Sequence, residues 1–167
     1  MKKFILLVFS LFLAIVVRAV EPINTFDKGG GFFSDPTRSK DHIAIRGYDP
    51  VAYFDTKDDK GAIVKGKPTP GSGKYTFDYQ GAQWKFASQT NLDKFKANPE
   101  KYAPQYGGYC AYGVAKGNLV KIEPDQFTIV NDKLYLNYDS DISKDWRQDK
   151  DKYIKDADAK FQKLLSK

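Results

Sequence analysis

Between Tyr75 and Phe86, ring-bearing residues alternate with polar ones. Tyr75, Phe77 and Tyr79 are spaced by Thr76 and Asp78, and Trp84 and Phe86 by Lys85. Period-two alternation places one set of side chains on one face of an extended chain, so both runs read as half-buried strands. Gln80-Gly81 between them supplies a tight turn that tolerates positive φ. Five rings on one face need a cover, because an isolated two-stranded hairpin is marginal in water.

The cover is expected directly downstream. Ser88 or Thr90 can cap a helix whose Leu92 and Phe95 share a face. Asn98-Pro99 is a second start signal, with Asn as cap and Pro at the first helical position. That helix carries Tyr102 and must stop before Pro104. Gly107-Gly108 opens a third short segment, Tyr109 to Lys116, in which Cys110 and Val114, and Ala111 and Ala115, lie four apart.

Upstream, Ile43 and Ile45 start the domain, Gly47 to Pro50 form a turn, and Val51, Tyr53 and Phe54 suggest a short strand at an edge, since Pro50 has no N–H. Asp55 to Lys60 reads as a charged loop and Ala62 to Val64 as another strand. Phe127 to Val130 and Leu134 to Tyr138 flank Asn131-Asp132 and form a second hairpin. A charged helical tail follows, capped at Asp139, Ser140 or Asp141, with Ile142, Trp146, Ile154, Ala157, Phe161 and Leu164 in a stripe. The stripe shifts near 148–152, which predicts a kink or two helices. Its apolar side is expected to pack at home rather than to bind a partner. The fold class is α+β: a small antiparallel sheet with hairpins, several short helices packed on it, and a C-terminal amphipathic helical segment.

The first residues have an export layout. Lys2 and Lys3 precede an apolar run from Phe4 to Val17, and small residues surround a cleavage point after Ala19. The expected organisation is a signal peptide over 1–19, a flexible leader over 20–41, a domain over 42–138 and the helical segment over 139–167. The protein is expected in the periplasm, without a stable membrane span after cleavage. Of 27 basic residues, cleavage removes Lys2, Lys3 and Arg18, and the remaining 24 face 21 acidic ones. The signs are interspersed, as in Lys57-Asp58-Asp59-Lys60, which excludes a nucleic-acid stripe. One cysteine excludes an intramolecular disulfide.

Cys110 is the first candidate for chemistry. It has one histidine in the chain, His42, for company, so a closed zinc site of four Cys/His ligands cannot form in one copy. A mixed site of Cys110, His42 and the Asp49 carboxylate remains open for Cu or Zn. Packing as a small apolar residue is the competing reading. As a nucleophile at a helix start Cys110 would need His42 as base. Tyr48-Asp49 and Tyr109-Cys110 both follow glycine turns, and a ligand cleft is expected there. Gly71 to Lys74 precedes a strand, so it is not a phosphate loop.

Phe86-Ala87-Ser88, Asn91, Phe95, Pro99 and Tyr102 fall at the spacing of F-C-S-x-x-C-x-x-x-F-x-x-x-P-x-x-Y. With Asp49-Pro50-Val51-Ala52, similar to D-P-V-C-G, and Tyr109-Cys110-Ala111-Tyr112, the chain resembles exported YHS-domain proteins over about residues 43 to 138. The resemblance implies this fold. It also implies metal held by cysteines, but those positions are Ala52, Ala87 and Asn91 here, none a soft ligand. The leading expectation is a non-catalytic binding module for a small ligand or metal ion, centred on Cys110 with Tyr109, Tyr48 and Asp49. The alternatives are a structural or interaction domain with Cys110 buried and silent, and a thiol enzyme.

Overall fold

The computed structural model describes residues 22–26, 41–57 and 63–166. The expected signal peptide, the cleavage point and most of the expected leader lie outside them. Among the described residues no helix is long and apolar enough to cross a membrane.

The class is α+β, and the named strands pair antiparallel as three two-stranded ribbons. Strands β1 (Thr56–Lys57) and β2 (Ile63–Val64) form the first. Strands β3 (Ser72–Tyr79) and β4 (Ala82–Phe86) form the aromatic hairpin, with Phe77 opposite Trp84. Its turn residues Gln80 and Gly81 both have positive φ, which matches the right-handed twist of the flanking strands. Strands β5 (Glu123–Val130) and β6 (Lys133–Asn137) form the third ribbon, and Asn131 and Asp132 at its tip have positive φ as well.

The cover for the hairpin is where the sequence places it. Helix α1 (Gln89–Ala97) starts at Ser88, whose hydroxyl accepts from the Asn91 N–H. Phe95 is fully buried, and its ring meets four others, those of Phe77, Tyr79, Trp84 and Phe86, at centroid distances of 5.2 to 6.3 Å. Such ring pairs add about 0.5–1.5 kcal/mol each beyond their buried area. Helix α2 (Pro99–Tyr102) starts at Asn98 with Pro99 at its first position, and helix α3 (Ala111–Ala115) starts at Cys110.

The tail forms two helices, α4 (Ser140–Gln148), capped by Asp139, and α5 (Lys150–Leu165), broken at Asp149 with φ −144° and ψ 54°. Trp146, Ala157 and Leu164 are buried with Tyr109, Val114 and Tyr135 in a second core, behind α3 and β6. Phe161 packs edge-on against Tyr106 at 5.6 Å. The stripe is therefore spent at home.

Two expectations fail. Val51, Tyr53 and Phe54 do not make a strand, because Val51–Tyr53 is a 3-10 turn. Pro50 is helical, at φ −67° and ψ −26°, and the Asp49 carboxylate accepts from the Val51 and Ala52 N–H groups, so the turn is capped by the side chain before it. Residues 22–26 belong to the segment read as a flexible leader, yet Ile23 to Phe26 are buried. Asn24 uses every polar group it has. Its N–H donates to the Gly107 carbonyl (2.8 Å), its carbonyl accepts from Ile45 (3.0 Å), its Nδ2 donates to the Gly108 carbonyl (2.9 Å) and its Oδ1 accepts from Phe26 (2.9 Å). The approach is so close that a Cβ on Gly107 would stand 1.8 Å from the Pro22 carbonyl oxygen.

Asn24→Ala removes two buried side-chain hydrogen bonds, the one to the Gly108 carbonyl and the one from the Phe26 N–H. Urea denaturation is expected to show a loss of about 1–3 kcal/mol, and a change below ~0.5 kcal/mol would mean that the segment does not hold the core.

Candidate functional site

Two short turns of the same shape position the candidate residues. Ile45, Arg46 and Gly47 have φ of 40°, 58° and 77°, and Tyr106, Gly107 and Gly108 have 55°, 60° and 81°. Each turn closes on a tyrosine N–H: Tyr48 donates to the Ile45 carbonyl (3.3 Å) and Tyr109 to the Tyr106 carbonyl (3.1 Å). Each tyrosine is followed by a capping residue, Asp49 or Cys110. Left-handed backbone is strained for a β-branched residue such as Ile45, at about 1–3 kcal/mol. Buried packing of Ile45 and the Asn24 bridge hold both turns in place.

Asp49 is fully buried and its carboxylate is saturated. Oδ1 accepts from the Val51 N–H (2.8 Å) and the Ala52 N–H (3.3 Å). Oδ2 accepts from the Ala87 N–H (2.8 Å) and from Asn91 Nδ2 (2.7 Å). Two oxygens offer about four lone-pair sites, and four donors fill them.

Cys110 is also fully buried. Its Sγ accepts from the Gly113 N–H (3.3 Å) and lies 3.7 Å from Asn137 Oδ1, to which the thiol donates. The same Oδ1 accepts from the Tyr112 N–H at 3.2 Å. Burial pushes the thiol pKa up to about 11, against smaller opposing effects of backbone N–H groups at Gly113, Tyr138 and Tyr112. A helix-start cysteine with a lowered pKa is thus not what the chain builds. His42 is exposed, its carbonyl accepts from the Gln83 N–H, and it is not among the groups that contact the thiol. Tyr109 is fully buried too, with its hydroxyl 3.5 Å from the Ile23 carbonyl. Of the four expected ligand residues, Cys110, Tyr109 and Asp49 are closed off by their own chain. Tyr48 alone is half-exposed.

Tyr48 lines an open cleft of about 540 Å³, with Arg46, Lys67, Pro68, Pro70, Glu123, Pro124 and Asp125. Arg46 was not singled out by its sequence context. Its Nη1 donates to Glu123 Oε2 (2.5 Å) and to the Ile122 carbonyl (3.3 Å). Lys121 Nζ reaches the other Glu123 oxygen at 3.5 Å. Burial works against the charge on Glu123, but Arg46 and Lys121 together hold its carboxyl below the usual range. A second cleft of about 650 Å³ lies between residues 22–23, the Tyr106 turn and α5.

The YHS domain family model matches residues 61–106, from just before β2 into the Tyr106 turn, so the chain carries a YHS domain. Searches of curated proteins and of solved structures find no significant match. The metal that the family suggests does not fit the residues present. Ala52, Ala87 and Asn91 stand where cysteines would, and the N–H of Ala52, the N–H of Ala87 and the amide of Asn91 all converge on Asp49. No soft donor is present, and the one carboxylate has no lone pair to spare. Cys110, His42 and Asp49 do not gather either: among the described residues no three of His, Cys, Asp or Glu come together to hold an ion.

The buried thiol has a consequence for alkaline stability. An acid whose folded pKa is raised stabilises the fold below its unfolded pKa, and that contribution is lost as pH rises through the folded one. For Cys110 the window runs from about pH 9 to about 11, worth roughly 2–3 kcal/mol. The buried hydroxyls of Tyr53 and Tyr106, both raised mainly by burial, add to the loss above pH 10. Urea stability is expected to be flat from about pH 7 to 8.5 and to fall beyond about pH 9. Cys110→Ala should fall less steeply between about pH 9 and 10, and an unchanged slope would contradict a buried neutral thiol.

Proposed function

We propose that this protein is an exported, non-catalytic binding module of the YHS type. It takes a small organic ligand in the cleft beside Tyr48, and Cys110 serves as an internal cap and packing residue. The observation that carries this reading is the contrast among the four candidate residues. Cys110, Tyr109 and Asp49 have no exposed surface to offer, whereas Tyr48 borders a cleft of about 540 Å³. That volume is in the range of small-molecule sites, and a tyrosine with three prolines forms a rigid, mostly apolar wall.

Export is supported by the Lys2-Lys3 start, the apolar run from Phe4 to Val17 and the small residues around Ala19. The state of Cys110 agrees with an oxidising compartment, because a thiol that is buried and neutral does not react. The interaction-domain alternative loses its main support, since Trp146 is fully buried and Ile154 and Phe161 pack against the second core.

Titration of the mature protein with phenol as a small neutral probe, followed by amide NMR, tests the site. Resonances of Gly47, Tyr48 and Glu123 are expected to move first and to do so equally in Cys110→Ala. Shifts centred on Tyr109 to Gly113, or confined to the cleft beside α5, would overturn the reading.

A further inference from the structure

The Tyr48 cleft holds a feature that the fold does not consume. The Arg46 side chain is 15% exposed, and its Nη1 is engaged by Glu123 and the Ile122 carbonyl. Among the described residues its Nε and Nη2 have no hydrogen-bond partner. The Tyr48 hydroxyl, on the same cleft, has none among them either. An arginine fork with one edge tied down and the other open is oriented in advance, because its rotamer is set by the internal carboxylate. The backbone contributes to that orientation, since Arg46 leaves a left-handed turn whose shape is fixed by buried Ile45.

Two cations, Arg46 and Lys67, and two carboxylates, Glu123 and Asp125, line the cleft. Glu123 is already shared between Arg46 and Lys121. Pro68, Pro70 and Pro124, which line the same cleft, carry no N–H and offer surface rather than donors.

We propose that this cleft binds a small organic monocarboxylic acid with a flat apolar body. The ligand carboxylate takes the open Nε/Nη2 edge of Arg46 in a bidentate pair, with the Tyr48 hydroxyl as a further donor and the proline wall against the apolar body. The proposal rests on the Tyr48 cleft being the binding site and names the ligand class for it.

Benzoate and its neutral isostere benzamide are the probes, titrated into the mature protein by amide NMR and calorimetry. Benzoate is expected to saturate at Gly47, Tyr48 and Glu123 and to bind at least tenfold more tightly than benzamide, the difference of a charge-assisted pair at roughly 1.4 kcal/mol or more. Arg46→Lys keeps the partner of Glu123 but loses the fork, and should weaken benzoate about tenfold while leaving benzamide unchanged. Arg46→Gln should reduce benzoate to the benzamide level. Equal binding of the two probes, or full benzoate affinity in Arg46→Lys, would overturn the carboxylate site. So would phenol binding without benzoate binding, which would leave the cleft itself standing. Failure of all three probes would overturn both readings.

Discussion

The Asp49 carboxylate is the constraint on which the centre of the molecule depends. It joins two stretches that are far apart in sequence: the turn after Pro50, and the passage from β4 into α1, through Ala87 and Asn91. A buried carboxylate without partners would be costly, and one with four donors becomes a fixed node. The hairpin and its covering helix are thereby set at one angle, which brings Phe95 into the middle of four rings. The ring cluster supplies the buried apolar area, and the carboxylate supplies the direction.

The same node decides the chemistry. Resemblance to the family places metal ligands at Ala52, Ala87 and Asn91, and all three positions instead serve Asp49. In this chain the position is a hydrogen-bonded staple. Cys110 plays the parallel part in the second turn, where its sulfur caps Gly113 and meets Asn137. Asn24 then clasps the two turns to each other. Tyr48 and Arg46, from the first turn, border the cleft of about 540 Å³.

The parts that were legible in the sequence are those in which cause and effect are neighbours. Both hairpins follow from alternation and from Gln80-Gly81 and Asn131-Asp132 at their tips. The starts of α1, α2 and α4 follow from Ser88, Asn98 and Asp139, each bonding an N–H three residues on. The misses depend on distant partners. Nothing near Asn24 in sequence reveals that Gly107 and Gly108 will receive it. The stretch from Val51 to Phe54 has strand-like residues, but the Asp49 side chain competes for its N–H groups and wins. For Cys110 the sequence leaves a ligand, a nucleophile and a packing residue open, and only the distant groups that bury it favour packing. Arg46 was one basic residue among 27, and its only local signal was its place before Gly47 in a turn.

Titration of the protein with Zn(II) and with Cu(I), read at the amide resonances of Val51, Ala52 and Ala87, tests the staple most directly. These three N–H groups donate to Asp49, so any ion that takes its oxygens must move them. The account predicts that all three stay in place at stoichiometric metal. A saturable shift of the three together, at one ion per chain, would contradict it.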